Sequence, residues 1–220
     1  MKVKLVSYTK SEIKGIDNLQ ELVAYCARVS NPDNQHNNKT SEKLITYLIE
    51  NEHWSPLEMV NVCLEIVTTR DIARQILRHR SFSFQEFSQR YANPTENLET
   101  NFVNRDVRLQ DPKNRQNSIE LEKTSENLMK QMSFHANQKD LVTKAIKHYR
   151  DAVSNGIAKE QARVFLPEGL TVSKLYMNGN MRSWLHYIQL RSSNGTQKEH
   201  MEIAKEVGRV ISKIFPVINE

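Results

Sequence analysis

The amino-acid sequence predicts a single α/β domain that spans residues 1–220, with a mixed central sheet flanked by several helices. Apolar and polar residues alternate over 3–8 and over 60–66, and this pattern is typical of half-buried strands. Over 19–29, apolar residues instead recur at the spacing of an amphipathic helix. The sequence contains neither an internal repeat nor a low-complexity linker at which the chain would divide into two domains.

The same patterns predict the other elements along the chain. Thr40 and Ser41 are expected to begin a helix that carries apolar residues to Ile49, and Thr69 is expected as the N-cap of a helix over 70–78. The polar segment 92–117 is expected as a long loop, and a role as a mobile lid stays open. The further elements expected are an extended segment at 82–91, one or two helices at 118–155, a short strand at 171–176, and helices at 157–165, 180–190 and 196–215.

Composition narrows the classes of ligand. The chain carries 31 basic and 26 acidic residues, which gives a formal net charge of +5 and a pI of about 9.1. This balance favours an anionic partner such as a nucleotide, a nucleic acid or an acidic membrane surface. The six glycines are too widely spaced for the phosphate-binding loops G-x-G-x-x-G and G-x-x-x-x-G-K-[ST]. No stretch approaches the roughly 20 apolar residues of a membrane span.

The two cysteines, Cys26 and Cys63, form neither a metal-ligand spacing nor a C-x-x-C pair. Two cysteines in a chain of this length do not indicate a disulfide framework, so we expect a cytoplasmic location and no metal site. Cys26 lies within a predicted amphipathic helix and Cys63 within a predicted strand, where each is expected to pack as a small apolar residue. Neither lies in a basic motif that would lower the pKa of the thiol.

The segment 70–91 concentrates the polar chemistry of the chain, with five of its fourteen arginines. The side chains expected on or beside one helical face are Arg70, Arg74, Gln75 and Arg78. Those expected on one side of the extended part are Glu86, Ser88 and Arg90. Guanidinium groups bind phosphate in a bidentate manner, whereas a carboxylate among them would accept hydrogen bonds from sugar hydroxyls or a base N–H.

Three interpretations of this segment stay open from the residues alone. It is a ligand site, a solvated basic face whose charges pair with one another, or a surface for nucleic acid. Phe82, Phe84 and Phe87 alternate like a buried strand face, so core packing is favoured over base stacking. No zinc-finger, RNP or helix–turn–helix signature is present, and no dedicated nucleic-acid partner is expected.

The run Arg-His-Arg at 78–80, followed by Ser88 and Arg90, resembles R-H-R-x7-S-x-R, the signature of the flavin-dependent thymidylate synthases. The similarity extends along most of the chain. The further segments that resemble the family are His53-Trp54-Ser55-Pro56, Ala162-Arg163-x-x-Leu166-Pro167, Asn180-x-Arg182 with His186 and Arg191, and Gln197.

The resemblance implies an enzyme that makes dTMP from dUMP. Methylenetetrahydrofolate would supply the carbon, reduced FAD the hydride, and NADPH the electrons that reduce the flavin. Members of this family are homotetramers whose sites lie between subunits, so dUMP, folate and further copies of the chain are the partners implied. Met59 and Gly195 stand where many members have histidine, which affects the expected flavin and folate contacts rather than the central arginines.

The resemblance also implies roles for individual residues. Arg191 would be the catalytic residue, because a guanidinium beside N3 of the uracil stabilises the anion that makes carbon 5 nucleophilic. The residues implied for dUMP binding are Gln75, Arg78, Glu86, Phe87, Ser88, Gln89, Arg90, Arg163 and Arg191. Those implied for FAD binding are His53, Ser55, Arg78, His79, Arg80, Glu86, Asn180, Arg182 and His186.

Other side chains that could carry chemistry are assigned structural roles. Ser88 is preferred as a ligand of phosphate or base over a nucleophile, because no base adjoins it in the sequence pattern. Trp54 and Trp184 are expected to pack rather than to stack on a flavin or pterin ring. The histidines expected at the surface are His36, His135, His148 and His200.

Overall fold

A four-stranded sheet forms the centre of the computed structural model, which describes residues 1–96, 98 and 101–219. The strands are β1 (Lys2–Tyr8), β2 (Asn61–Thr69), β3 (Ser83–Glu86), β4 (Arg108–Gln110), β5 (Ser118–Glu120) and β6 (Val172–Asn180). The sheet has the order β1-β2-β6-β3, and β4 and β5 form a separate hairpin. The α/β class is confirmed.

The expected mixed sheet is wrong, since the strand pairs of the described residues are antiparallel throughout. β2 and β3 do run in the same direction and are joined through a helix, as in a parallel unit. β6, however, inserts between them and pairs antiparallel with both. The two strands that could have formed a parallel pair are thereby separated.

Helices cover the sheet, and we number them in chain order. They are α1 (Leu19–Ala27), α2 (Ser41–Glu50), α3 (Arg70–Ile76), α4 (Ser125–Ser154), α5 (Lys159–Ala162), α6 (Met181–Arg191) and α7 (Lys198–Ile211). The predicted helix starts at 40–41 and after Thr69 are confirmed, although neither threonine makes a side-chain cap hydrogen bond. Within the described residues, no helix is both long and apolar enough to cross a membrane.

The core lies between the sheet and the helices that follow its two central strands. Val62, Leu64 and Ile66 of β2 are fully buried, as the alternating pattern predicts. They share one core with apolar side chains of α3, α6 and α7. Trp184 of α6 is fully buried there, and its indole N–H donates to the carbonyl oxygen of Val62 at 3.0 Å. The packing role expected for this tryptophan is confirmed.

The extended segment expected at 82–91 is regular strand only over Ser83–Glu86. The chain then turns, and the amide of Tyr91 donates to the carbonyl oxygen of Ser88 at 3.2 Å. Ser88 and Arg90 therefore do not continue the strand face of Glu86, and the prediction that the three side chains project to one side of a strand is wrong.

Two elements differ in extent from the prediction. The strand expected at 171–176 is the longer β6, because its alternation of buried and exposed residues continues through Met177 and Gly179. The segment 118–155, expected to be helical, begins as β5 and continues as one helix, α4. The greater length of β6 places the N-terminus of α6 directly at the end of that strand, without a connecting loop.

Part of the polar segment 92–117 lies outside the described residues, namely 97, 99 and 100. We call its residues 101–110 the strap. The amide of Val103 donates to the carbonyl oxygen of Leu170 at 2.9 Å, and the amide of Arg105 donates to Oε1 of Gln138 at 2.7 Å. Gln138 in turn donates from Nε2 to the carbonyl oxygen of Arg105 at 2.8 Å. These bonds hold the strap against the domain.

Gly179 is a position at which close packing requires glycine. A Cβ added there would lie 2.7 Å from Cε1 of Phe82, whose ring packs against Trp184 in the core.

We expect Gly179→Ala to lower the free energy of unfolding by about 1–3 kcal/mol, measured by urea denaturation. The matched control is Gly208→Ala in α7, where the new Cβ would meet only Cγ2 of Ile188 at 3.5 Å. That variant should be at least as stable as the parent, since alanine is the better helix former; equal losses in both variants would contradict the prediction.

Candidate functional site

The first arginines of the segment 70–91 are held by carboxylates. Nη1 of Arg70 lies 3.6 Å from Oε1 of Glu86, and Nε lies 3.8 Å from Oε1 of Glu168. Arg74 is ion-paired with the same Glu168. Glu86 also accepts a hydrogen bond from the hydroxyl of Ser173 at 2.7 Å. For Arg70 and Arg74, the interpretation as mutually paired charges is therefore the one that the structure supports.

Arg78 and Arg80 differ from these two residues. α3 ends at Ile76, so Arg78 does not continue the helical face of Arg74, contrary to the prediction. Both Arg78 and Arg80 are exposed, and within the described part of the chain no hydrogen bond or ion pair engages either guanidinium. Two fork-shaped cations are therefore available to an anionic ligand on either side of His79.

His79, between these arginines, is half-buried and contacts Arg191 at the end of α6. The Nε–H of Arg191 donates to Nε2 of His79 at 2.9 Å, so the neutral ring carries its proton on Nδ1. Burial and then the charge of Arg191 lower the pKa of His79 to about 4. Arg191 is thus held by a neutral acceptor, and no hydrogen bond or ion pair of the described residues engages its Nη atoms.

Tyr187 and His200 lie behind this pair. The ring of Tyr187 packs edge-on against that of His79 with centroids 4.9 Å apart, and its hydroxyl lies 3.1 Å from Nε2 of His200. Nδ1 of His200 lies 3.2 Å from Oε1 of Gln75. His200 is completely buried, so its expected surface position is wrong. Burial, with the charge of Arg191 as the next cause, lowers the pKa of His200 to about 4.

A line of polar contacts continues from Gln75 to the strap. Nε2 of Gln75 donates to Oε1 of Gln197 at 2.7 Å, and Nε2 of Gln197 donates to Oε2 of Glu199 at 3.0 Å. Nη1 of Arg105 lies 3.1 Å from Oε2 of Glu199, and Arg108 donates to its other oxygen. Burial favours a raised pKa for Glu199, but the hydrogen bond from Arg108 and the charge of Arg105 outweigh it and hold the pKa below its usual value.

Sequence reasoning missed several of these residues. His200 lies one helical repeat before the buried Ile203, Ala204 and Val207 of α7, and this periodicity is the signal that could have placed it inside. Arg105 and Arg108 lie in a polar segment without periodicity, and no sequence signal distinguishes them from exposed basic residues.

Two of the segments implied for FAD binding meet at the start of α6. The rings of Trp54 and His186 pack edge-on with centroids 4.6 Å apart, and Arg182 is ion-paired with Glu58. Asn180 caps α6 by accepting the amide of Ser183 at 2.9 Å, which leaves its amide nitrogen for a ligand. The exposed residues at the same turn are His53 and Ser55.

Arg90 and Arg163, both implied for dUMP binding, lie in a second group. Nε of Arg90 donates to Oε2 of Glu160 at 3.1 Å, and Nε of Arg163 donates to the carbonyl oxygen of the same residue at 3.1 Å. Within the described residues, no hydrogen bond, ion pair or ring contact joins either arginine to Arg191 or Gln75. The contacts of these two arginines are thus distinct from those of Arg191 and Gln75.

The neighbours of Arg90 are less accessible. Gln89 is buried, and its amide nitrogen has no hydrogen-bond partner among the described residues. The hydroxyl oxygen of Ser88 accepts the amide of Arg90 at 3.3 Å, and the amide of Phe87 donates to the carbonyl oxygen of Lys174 at 2.8 Å. Ser88 has no adjacent base among these contacts, in agreement with a ligand role.

The two departures from the family pattern have different surroundings. Met59 is 54% exposed on the turn that carries Ser55. Gly195 has a φ of +94°, a conformation that histidine rarely adopts, so the local backbone is suited to glycine. The described residues contain no group of three or more His, Cys, Asp or Glu side chains that could hold a metal ion.

Comparisons with known proteins agree on one family. The family described as thymidylate synthase complementing protein matches residues 4–217. The chain is 45% identical to a probable flavin-dependent thymidylate synthase of Paramecium bursaria Chlorella virus 1 and 47% identical to a flavin-dependent thymidylate synthase of Synechocystis sp., in each case over 99% of this chain and 97% of the relative. A solved structure of the UMP/dUMP methylase PolB from Streptomyces cacaoi, bound with 5-Br dUMP, is similar with a TM-score of 0.79 and 25% identity over 99% of this chain and 92% of that one.

The buried His200 makes the free energy of unfolding depend on pH. Because the folded pKa of His200 is about 4 and the unfolded value about 6.5, the unfolded state takes up protons first as the pH falls. The stability that the neutral ring contributes above pH 6.5 is therefore lost between about pH 6.5 and pH 4, by about 2 kcal/mol at pH 5. His200→Asn removes this loss, so urea denaturation of parent and variant should give pH profiles that diverge by about that amount. Parallel profiles would show that the prediction is wrong.

Proposed function

This chain belongs to the flavin-dependent thymidylate synthases, and on that premise we propose that it converts dUMP to dTMP with methylenetetrahydrofolate as carbon donor and NADPH as reductant of its FAD. The observation that carries the proposal for this chain is the state of Arg191. Its guanidinium is held by a neutral imidazole, while its two Nη groups have no partner among the described residues. The Arg191 guanidinium therefore retains its full positive charge, and the planar edge formed by its two Nη groups is available to a ligand.

That edge suits an ionised uracil. Carbon 5 of uracil is a weak nucleophile, and loss of the N3 proton moves electron density into the ring. A guanidinium beside N3 and its carbonyl oxygens stabilises that anion, and arginine stays charged without acting as a competing acid. We assign this role to Arg191, with Gln75 as a further polar group for the base and Arg78 as a cation for the phosphate. The other residues assigned to dUMP are Glu86, Phe87, Ser88, Gln89, Arg90 and Arg163.

The donor set near α6 suits FAD. Arg78 and Arg80 supply two exposed guanidinium groups for a pyrophosphate, neither of which has a partner among the described residues, and Asn180 retains its amide N–H groups. When bound, the flavin supplies hydride chemistry, and the protein binds and orients it. The further residues assigned to it are His53, Ser55, His79, Glu86, Arg182 and His186.

No cysteine is assigned as a nucleophile. Burial raises the pKa of the Cys26 thiol, and burial outweighs a hydrogen bond with Ser7 to raise that of Cys63. A thiol with a raised pKa is a poor source of thiolate, the form that attacks carbon. This supports a mechanism in which the uracil is activated by charge rather than by covalent attack.

We propose that the site is completed between copies of the chain in a homotetramer. Arg90 and Arg163 are held by Glu160 and, among the described residues, make no hydrogen bond or ion pair with Arg191 or Gln75. α4 also exposes a set of large apolar side chains, which is typical of a surface that another protein covers. These residues are Leu128, Met129, Met132, Phe134 and Leu141. The same proposal includes a cytoplasmic location and a single domain over residues 1–220.

The direct test uses the purified protein and an arginine variant. The parent should bind FAD, with the absorbance of a flavoprotein, and should release tritium from dUMP labelled at carbon 5 when folate and NADPH are present. Arg191→Lys should keep FAD but lose turnover by about 100-fold, because lysine keeps the charge and loses both the planar fork and the Nε–H that His79 accepts. A parent that neither binds FAD nor releases tritium contradicts the function, and near-normal turnover of the variant contradicts the role of Arg191.

A mixing experiment tests the shared site. Arg90→Met and Arg191→Lys should each be nearly inactive alone. When the two chains are co-expressed with different tags and purified as mixed oligomers, sites that take Arg90 and Arg191 from different chains should recover about a quarter of the parent activity by random assortment. Sites built within one chain would recover none, and that result would contradict the proposal.

A further inference from the structure

A line of hydrogen bonds runs through the domain from Glu199 to Tyr187, and its direction is set at one end. The carboxylate of Glu199, held by two guanidinium groups, can only accept. Gln197 must therefore turn its amide nitrogen toward this carboxylate, at 3.0 Å. Its carbonyl oxygen then faces Gln75, whose Nε2 donates to it at 2.7 Å.

The same logic fixes the next two groups. Because Gln75 uses its nitrogen toward Gln197, it presents Oε1 to His200, and an amide oxygen can only accept. His200 must therefore carry its proton on Nδ1, 3.2 Å from that oxygen. Nε2 of the neutral ring is then an acceptor for the hydroxyl of Tyr187 at 3.1 Å. One carboxylate thus determines the orientation of two amides and the tautomer of a histidine.

The burial of this line argues that it has a purpose beyond packing. His200 is fully buried, and Tyr187, which belongs to the main apolar core, is 1% exposed. Apolar side chains of similar volume would fill the same space without the cost of desolvating polar groups. Gln75 is the member assigned to dUMP in the proposed function, and after its two internal hydrogen bonds it retains one N–H and one oxygen lone pair for a ligand.

We propose that His200 and Tyr187 are positioning residues for dUMP, which act by holding the amide of Gln75 in one orientation. This inference rests on the proposed function, in which Gln75 belongs to the dUMP site. Without the Nδ1–H of His200, the amide of Gln75 keeps only its hydrogen bond to Gln197 and can turn about it, so that its remaining N–H and lone pair are no longer held in one direction. A nucleotide with a fixed order of donors and acceptors is then bound less well, although its phosphate contacts are unchanged.

Three variants separate positioning from packing. His200→Leu fills the space without a donor, whereas His200→Asn supplies an amide N–H close to the position of Nδ1. Tyr187→Phe removes only the hydroxyl and keeps the ring against His79 and Trp184. The matched control is His36→Leu, since His36 is exposed and remote in sequence from these elements.

Calorimetric titration with dUMP on the FAD-loaded protein gives the main result. We expect His200→Leu to raise the Kd for dUMP about tenfold, with FAD content unchanged, and His200→Asn to restore most of the affinity. Tyr187→Phe should cause a smaller loss, and His36→Leu none. Parent-like affinity of His200→Leu would overturn the inference. So would equal losses in the Leu and Asn variants that follow a lowered Tm, because these indicate packing alone.

A second measurement does not depend on dUMP. In protein labelled with ¹⁵N-histidine, the His200 signals should show the neutral Nδ1–H tautomer at pH 7, and they should show it equally in the apo and FAD-loaded protein. An Nε2–H tautomer would overturn the inference whatever the ligand. A parent protein that shows the expected tautomer but binds no dUMP would instead overturn the proposed function and, with it, the dUMP role of the two residues.

Discussion

The antiparallel pairing of β2 with β6 is the constraint on which the rest of the structure depends. The pairing is continuous from Asn61 opposite Asn180 to Thr69 opposite Val172, and each strand passes directly into a helix. Because the strands are antiparallel, α3 and α6 start at opposite ends of the pair and pack on the same core. His79, which follows α3 by three residues, is brought against Arg191, the last residue of α6. A shift in the register between β2 and β6 would separate His79 from Arg191 and disrupt the candidate site.

Buried charge gives the site its polarity. The strap contributes Arg105 and Arg108, and both converge on the carboxylate of Glu199 at the start of α7. A buried carboxylate costs desolvation free energy that two guanidinium groups offset, so this cluster adds little net stability. The cluster instead sets the direction of the hydrogen bonds. Because the Glu199 carboxylate can only accept, it determines the orientation of the amides of Gln197 and Gln75 and, through them, the tautomer of His200. The strap, expected from its composition to be a loop, thereby influences Gln75 on α3, with which it shares no hydrogen bond or ion pair among the described residues.

The sequence predicted those features that depend on local patterns. Alternation predicted β1 and β2, and the arginine–histidine signature, with its partners on α6, indicated the family and the residues that meet at the end of α3. The insertion of β6 between β2 and β3 could not be predicted, because strand order depends on long-range pairing that no single segment encodes. The strand predicted at 171–176 is shorter than β6, because Asn178 and Asn180 are residues typical of loops, although Met177 and Gly179 beside them are buried. Helical periodicity favours a buried His200, but its polar side chain suggested a surface position.

The choice of a neutral imidazole as the partner of Arg191 has a chemical consequence. Carboxylates hold Arg70, Arg74, Arg105 and Arg182, and in each pair much of the cation's field is cancelled close to the group. His79 fixes the guanidinium through Nε with the same geometric precision and cancels none of its charge. The charge of Arg191 itself helps to keep this imidazole neutral, since it lowers the pKa of His79 after burial has done so. An arginine that must stabilise an anionic uracil needs an orienting partner of this kind, because a carboxylate in the same position would compete with the substrate for the charge.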